Sequence, residues 1–301
     1  MLTRRNLLRA CAGVAGGAAA MKLSHADDTT DSSTLRVAFL TDIHLPAGRP
    51  EIAERVAKLI DSIQARPNSP DLFVFGGDNV MAVDGDQSDD EVHEQFDLWN
   101  RTVTRRLKTP FLSVIGNHDI WWNAPGKKSA PADPKRLATE HYRMPHRYFS
   151  RSVGGWKFIL LDCYQQDGCR LDERQWSWLE SEVRQENQPV CVVTHAPVLS
   201  VTHFLEPSVD TGKGYEIPGS WLPKGVTRFR ELFRAHPSVR LALSGHMHTV
   251  DRVEVDTTAY VCGGAVSGAW WDGEYLGFPP LWIELILSSD GTWSHEVHPW
   301  G

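Results

Sequence analysis

No run of about 20 consecutive apolar residues, the length a helix needs to cross a bilayer, occurs in this chain of 301 residues, so no transmembrane anchor is expected. Basic charge is also short. Against 38 Asp and Glu stand 31 Lys and Arg, a formal charge of −7, where a nucleic-acid-binding surface would show a basic excess. Cysteine is scarce, five residues without CxxC spacing, which argues against a zinc site built on thiolates. An acidic chain attracts a phosphate ester poorly from a distance. Phosphate chemistry here would need local positive charge of the kind that metal ions bring. The length and the 41% hydrophobic content suffice for one large core or two small ones, and no internal repeat divides the chain.

Residues 1–26 read as a targeting segment. Thr3-Arg4-Arg5-Asn6-Leu7-Leu8 precedes a Gly/Ala-rich run from Ala10 to Met21, and Ser24-His25-Ala26 sets small residues at a cleavage site. The pattern resembles a twin-arginine export signal, which implies the twin-arginine translocation machinery as a partner and a periplasmic or secreted product. Cleavage would remove Arg4, Arg5, Arg9 and Lys22 and no acid, taking the formal charge from −7 to −11. Of the remaining cysteines, Cys191 and Cys262 lie in strand-like runs as buried thiols. Cys163 and Cys169 flank a short loop and would be able to pair in an oxidising compartment.

After a polar linker (27–34), strand and helix signals alternate. Leu35–Leu40 is a strand ending at Thr41-Asp42, and Ile52, Val56, Leu59, Ile60 and Ile63 follow at helical spacing across 51–65. Leu72–Phe75 runs into Gly76-Gly77-Asp78, a helix covers 89–107, and Phe111–Ile115 runs into Gly116-Asn117-His118-Asp119. Further strands are expected at Trp156–Leu161, Val190–Val193 and Val239–Leu243, helices at Asp172–Gln185 and 226–235, and short strands across 251–297. Residues 35–301 therefore form one α/β domain with two sheets face to face, interrupted by a Pro-, Gly- and Ser-rich insertion over 198–224.

Of seven residues of metal-ligand type, Asp42, His44, Asp78, Asn117, His195, His246 and His248, six lie in or beside Gly- or turn-rich segments that follow apolar runs. Asp42 and His44, and again His246 and His248, stand two apart, which puts each pair on one side of an extended segment. Glycines before Asp78, Asn117 and His246 permit tight turns. Oxygen and imidazole ligands together suit Mn, Fe, Co or Zn better than Ca or Mg.

The ordered set D-x-H, G-D, G-N-H-D, H and G-H-x-H resembles the calcineurin-like metallophosphoesterase superfamily over residues 35–250. The resemblance implies a four-layer αββα sandwich of two mixed β-sheets flanked by helices. It implies two transition-metal ions, one on Asp42, His44 and His248, the other on Asn117, His195 and His246, with Asp78 bridging. A metal-bridging hydroxide would attack a small phosphate ester, with His118 protonating the leaving oxygen and Asp119 orienting the His118 ring. Purple acid phosphatases carry a tyrosine three residues after the bridging aspartate and lack the D-x-H histidine. Met81 and His44 stand at those positions here, and the string is closer to class III cyclic nucleotide phosphodiesterases. A phosphomonoesterase, a nucleotide pyrophosphatase and, more remotely, a metal-containing binding protein without turnover are the rival readings.

Twelve tryptophans include two pairs near the motifs, Trp121-Trp122 and Trp270-Trp271. One member of each pair is expected in the core. The other would be free to stack on a nucleobase, a sugar ring or an aryl leaving group. The insertion, with His203, Lys213, Tyr215 and Trp221, is the expected substrate cap, and Trp121, Trp122 and His203 are candidate substrate contacts.

Overall fold

The computed structural model describes residues 34–122, 132–184 and 187–301. The expected export segment and residues 27–33 of the linker lie outside them. The chain begins with β1 (Thr34–Leu40), α1 (Pro50–Gln64), β2 (Leu72–Phe75), α2 (Asp89–Trp99) and β3 (Phe111–Ser113). Next come α3 (Arg136–His141), β4 (Phe149–Val153), β5 (Trp156–Leu160) and a small hairpin of β6 (Tyr164–Gln165) and β7 (Gly168–Cys169). Then follow α4 (Glu173–Arg184), β8 (Val190–Val193), α5 (Val226–Ala235) and β9 (Val239–Ser244). Four strands close the chain: β10 (Val250–Val255), β11 (Thr258–Gly263), β12 (Leu281–Ser288) and β13 (Trp293–Pro299).

One sheet has the order β13-β12-β1-β2-β3, the other β10-β11-β9-β8-β5-β4. The strands β1, β2 and β3 are parallel, as are β11, β9, β8 and β5, and antiparallel strands finish the edges. The period of two along each strand sorts the core into layers. Val37 and Phe39 of β1 join Val74, Phe158, Leu160, Val193, Leu243 and Ile283 in an apolar layer between the sheets. Ala38 and Leu40 take the opposite face and cluster with Ile52, Val56 and Ile60 of α1. On the second sheet, Ile159 and Val192 cluster with Leu179 of α4 and Phe229 of α5, and the ring of Trp176 lies 4.4 Å from that of Phe229. Helices thus cover both outer faces, giving the four layers. Phe39 is fully buried, which stabilises the fold by roughly 1.5–3 kcal/mol relative to an exposed ring.

Two local expectations are corrected. The helix expected over 89–107 ends at Trp99 and continues as one wide turn, Asn100–Thr104, where Arg105 N donates to Asn100 O at 2.9 Å. The tail is not merely a set of short strands: β12 runs eight residues and enters the first sheet beside β1. Cys163, Cys169, Cys191 and Cys262 are all buried free thiols.

Candidate metal centre

Parallel strands bring their carboxyl ends to one edge, and each of β1, β2, β3, β8 and β9 hands over there to a ligand-bearing turn. The turns after β1 and β2 are zipped together, since Asp42 N donates to Gly77 O at 3.0 Å and His44 N to Asp78 O at 2.9 Å. Gly245 N donates to His195 O at 2.9 Å and ties the turn after β9 to the turn after β8.

The pairs Asp42/His44 and His246/His248 were expected on extended backbone. Instead all four, and Asp78 with them, adopt left-handed conformations, with φ of 55°, 48°, 69°, 56° and 50°. Such φ values cost a residue with a Cβ about 1–3 kcal/mol and persist where the surroundings impose them, most often at functional sites. The glycines act chiefly by allowing close approach. A Cβ on Gly245 would sit 1.9 Å from Thr41 Oγ1 and 2.2 Å from Asp42 Oδ2.

The ligand atoms converge. Groups Asp42/His44/His248, Asp78/His195/His246 and His44/Asp78/His118 each bring their ligand atoms within 4.8 Å of one another. Carbonyls fix the ring tautomers: His195 Nδ1 donates to Gly76 O at 2.8 Å, His248 Nδ1 to Gly268 O at 2.6 Å and His44 Nδ1 to Met81 O at 3.3 Å. Each Nε2 then turns its lone pair inward, and those of His44 and His248 stand 3.1 Å apart. Asp42 Oδ1 lies 3.2 Å from His248 Nε2, and Asp78 Oδ2 lies 3.1 Å from His195 Nε2. Asp42 Oδ1, Asn117 Oδ1 and His195 Nε2 are buried with no hydrogen-bond partner. Electron pairs crowded without donors repel unless cations lie among them, so these residues fit two metal ions.

Charge follows the same logic. Burial pushes His44 down to about 4 and His246 down to about 3, the neutral form that ligation requires. His195 departs from this: burial opposes its charge, but the Asp78 and Asp42 carboxylates outweigh it and raise the group to about 10, so they draw a positive charge to Nε2, a proton or the metal ion that would replace it. Both carboxylates are held low, against burial, by the imidazoles around them.

The expectation that Asp119 orients the His118 ring is not met. Asp84 does so, its Oδ1 lying 2.9 Å from His118 Nδ1. Burial works against charge on His118, yet that bond and the charges of Asp78 and Asp84 raise it to about 9. Asp119 is fully buried and braces the site instead. Its Oδ2 accepts from Asp78 N (2.9 Å) and Gly116 N (2.8 Å), its Oδ1 from Asn79 N (3.0 Å), Val80 N (3.2 Å) and Tyr142 Oη (2.6 Å). Burial and the nearby Asp78 charge push its carboxyl up to about 6 in spite of those donors. Asp84 carried no motif, although a carboxylate in the Gly/Asp-rich turn after Asp78 is the one signal that could have found it.

The candidate substrate contacts divide differently. Trp121 is buried in the core, edge-on to His93 at 5.5 Å. Trp122 is packed against the same core and carries Lys135 Nζ 5.9 Å above its ring. His203 is buried in a short turn, Thr202–Leu205, against Phe204 at 4.1 Å. The aromatic beside the ligands is Trp270, whose ring lies 4.3 Å from that of His248 and 5.9 Å from that of His44. Tyr275 stands 5.7 Å from His248, and Tyr164 packs 5.9 Å from His246.

The model of the calcineurin-like phosphoesterase family matches residues 35–250. A probable cyclic nucleotide phosphodiesterase of Synechococcus sp. is 28% identical over 283 residues, 90% of this chain and 95% of that relative. Among solved structures, a dimetal phosphatase from Danio rerio superposes with a TM-score of 0.59 at 12% identity, covering 90% of this chain and 100% of that one. A purple acid phosphatase from yellow lupin seeds gives the same score at 15% identity over 88% of this chain, which spans 51% of that longer protein. At these identities the structural likeness speaks for the fold. Together with the family match over most of the described residues, it makes the chain a member of the calcineurin-like phosphoesterase family and a metallophosphoesterase.

Proposed function

We propose that this enzyme hydrolyses a phosphodiester, a cyclic nucleotide or related small diester, at a centre of two metal ions. Asp42, His44 and His248 would hold one ion, Asn117, His195 and His246 the other, with Asp78 shared. The ions would be drawn from Mn, Fe, Co or Zn. When bound, such a pair supplies the positive charge that acidifies a water and offsets the phosphoryl oxygens.

The protein's own groups account for the rest. A water oxygen adds to phosphorus as the ester P–O bond breaks, and the leaving oxygen needs a proton. Asp84 takes Nδ1–H of His118, so the proton on Nε2 is the one available for transfer. Asp119 keeps the turns carrying Asp78 and Asn117 in register, so the ligands need not reorganise during reaction.

The observation that carries the reading is the set of buried, unpartnered ligand atoms beside a histidine already oriented by a carboxylate. A diester is favoured by the likeness to the probable cyclic nucleotide phosphodiesterase. The test is hydrolysis of bis-p-nitrophenyl phosphate and p-nitrophenyl phosphate after loading with Mn, Fe, Co or Zn. A higher kcat/KM for the diester is expected. Turnover of neither with any metal would overturn the reading, and a monoester preference would overturn its finer part. Residues 1–26 support the further reading that the protein is exported by the twin-arginine machinery to the periplasm or beyond.

A further inference from the structure

Among the described residues seven large hydrophobics stand substantially exposed: Val201, Phe204, Leu205, Tyr215, Ile217, Trp270 and Leu276. All seven fall on two segments, 201–217 of the insertion and 270–276. The segments are joined, since the Tyr275 hydroxyl donates to Glu206 Oε1. Each segment carries an aromatic pair: Phe204 meets Tyr215 at 5.1 Å, and Tyr275 meets Trp270 edge-on at 5.5 Å. Scattered exposed hydrophobics need no explanation, but a joined set beside a reaction centre does.

Trp270 occupies the inner end of this set. It is 39% exposed although it touches two buried ligands, so part of its ring faces solvent at the rim of the centre. Its backbone is left-handed (φ 49°), as is that of Trp271 (φ 78°). The loop pays for that strain with bonds to the ligand turns. Ser267 Oγ donates to Asp42 O at 2.8 Å, His248 Nδ1 to Gly268 O at 2.6 Å, and Trp271 Nε1 to His44 O at 2.9 Å. One loop therefore braces all three residues of the first ligand group and presents a flat aromatic surface to whatever is esterified to a phosphate seated on them. The neighbouring Glu206 adds an acid, which suits an uncharged arm better than a second phosphate.

We propose that Trp270, backed by Tyr275, is the specificity-determining residue of this enzyme and selects esters whose arm carries a planar aromatic ring, by stacking on it. The inference rests on the dimetal reading above. The test measures calorimetric binding of methyl-, cyclohexyl- and phenylphosphonate to the Mn-loaded protein, which share a head group and differ in the arm. Stacking predicts that phenylphosphonate binds about tenfold tighter than methylphosphonate, with cyclohexylphosphonate near the methyl compound. Trp270→Leu, which keeps apolar bulk, removes the phenyl advantage to within about twofold, whereas Trp270→Phe keeps most of it. Equal binding of phenyl and cyclohexyl arms, or an undiminished phenyl advantage in Trp270→Leu, overturns the proposal while leaving the dimetal reading intact. A loaded protein that binds none of the three, and turns over no ester, overturns both.

Discussion

Gly116→Ala isolates the packing on which the Asp78 carboxylate depends. Gly116 has φ −90° and ψ 175°, a conformation any residue adopts, so the substitution introduces no backbone strain. It introduces a collision. The new Cβ would lie 2.0 Å from Asp78 Oδ1 and 2.2 Å from Asp78 N, where ordinary contact begins at 3.4 Å. Some 1.4 Å must be found, and neither side yields readily: Asp78 N donates to Asp119 Oδ2, and Asp78 Oδ1 accepts from His118 N at 2.9 Å. Overpacking of this kind costs about 1–3 kcal/mol, and the rigid neighbours put it at the upper end. At roughly 2–4 °C per kcal/mol the melting temperature should fall by about 6–12 °C. Activity should suffer more, because displacing a reacting group by about 1 Å costs on the order of 100-fold in rate. The assay is kcat on bis-p-nitrophenyl phosphate with metal content and thermal unfolding measured on the same sample. Gly219→Ala, whose Cβ meets nothing within 4 Å, is the matched control. A Gly116→Ala enzyme within twofold of the parent in kcat and metal content would refute the close approach as a determinant of the site.

Three further outcomes separate the roles within the centre. Asp78→Ala removes the shared carboxylate and should abolish stoichiometric metal binding, read by elemental analysis after gel filtration. His118→Ala should retain both ions while kcat falls by about 10²–10⁴, and Asp84→Asn, which still accepts from Nδ1–H, should lose only about tenfold. Metal loss in His118→Ala would make it a ligand instead. Asp119→Asn replaces one accepting oxygen with an NH2 group and so strands two backbone N–H groups, those of Asp78 and Gly116 or those of Asn79 and Val80, and should weaken metal retention as well as turnover. Finally, cell fractionation should find a shortened protein outside the cytoplasm, and Arg4→Lys with Arg5→Lys should keep it inside at full length.

What was legible in the sequence was whatever is local. The period of two in Val37-Ala38-Phe39-Leu40 sorts that strand between the inter-sheet layer and the helix face, and the helical spacing of Ile52, Val56, Leu59, Ile60 and Ile63 marks five buried positions of α1. The seven ligand-type residues stand out in the sequence because a metal ligand needs a particular atom type after a strand end, and both are written in the chain. Less visible was the backbone that aims them, since left-handed φ at Asp42, His44, Asp78, His246 and His248 is imposed by neighbours and not by propensity. Contacts between distant segments were hidden for the same reason. Asp119 follows His118 directly, but adjacency in the chain does not decide which carboxylate holds the ring. In a tight turn successive side chains diverge, and Asp119 points back under the turn of Asp78 while Asp84 reaches His118 from 34 residues away. The aromatic pairs give the sharper case. Trp121-Trp122 and Trp270-Trp271 are equivalent as sequence, each a tryptophan pair in a loop. Burial separates them, because Trp121 falls beneath α2 against His93, whereas 270–271 is bonded to the backbone of Asp42 and His44 through its own loop. The candidate ligands could be read one strand end at a time. Which distant loop lies beside those ends could not, because it rests on long-range bonds: the loop that carries Trp270 is tied to the turn of Asp42 through Ser267 and leads into β12, which enters the first sheet beside β1.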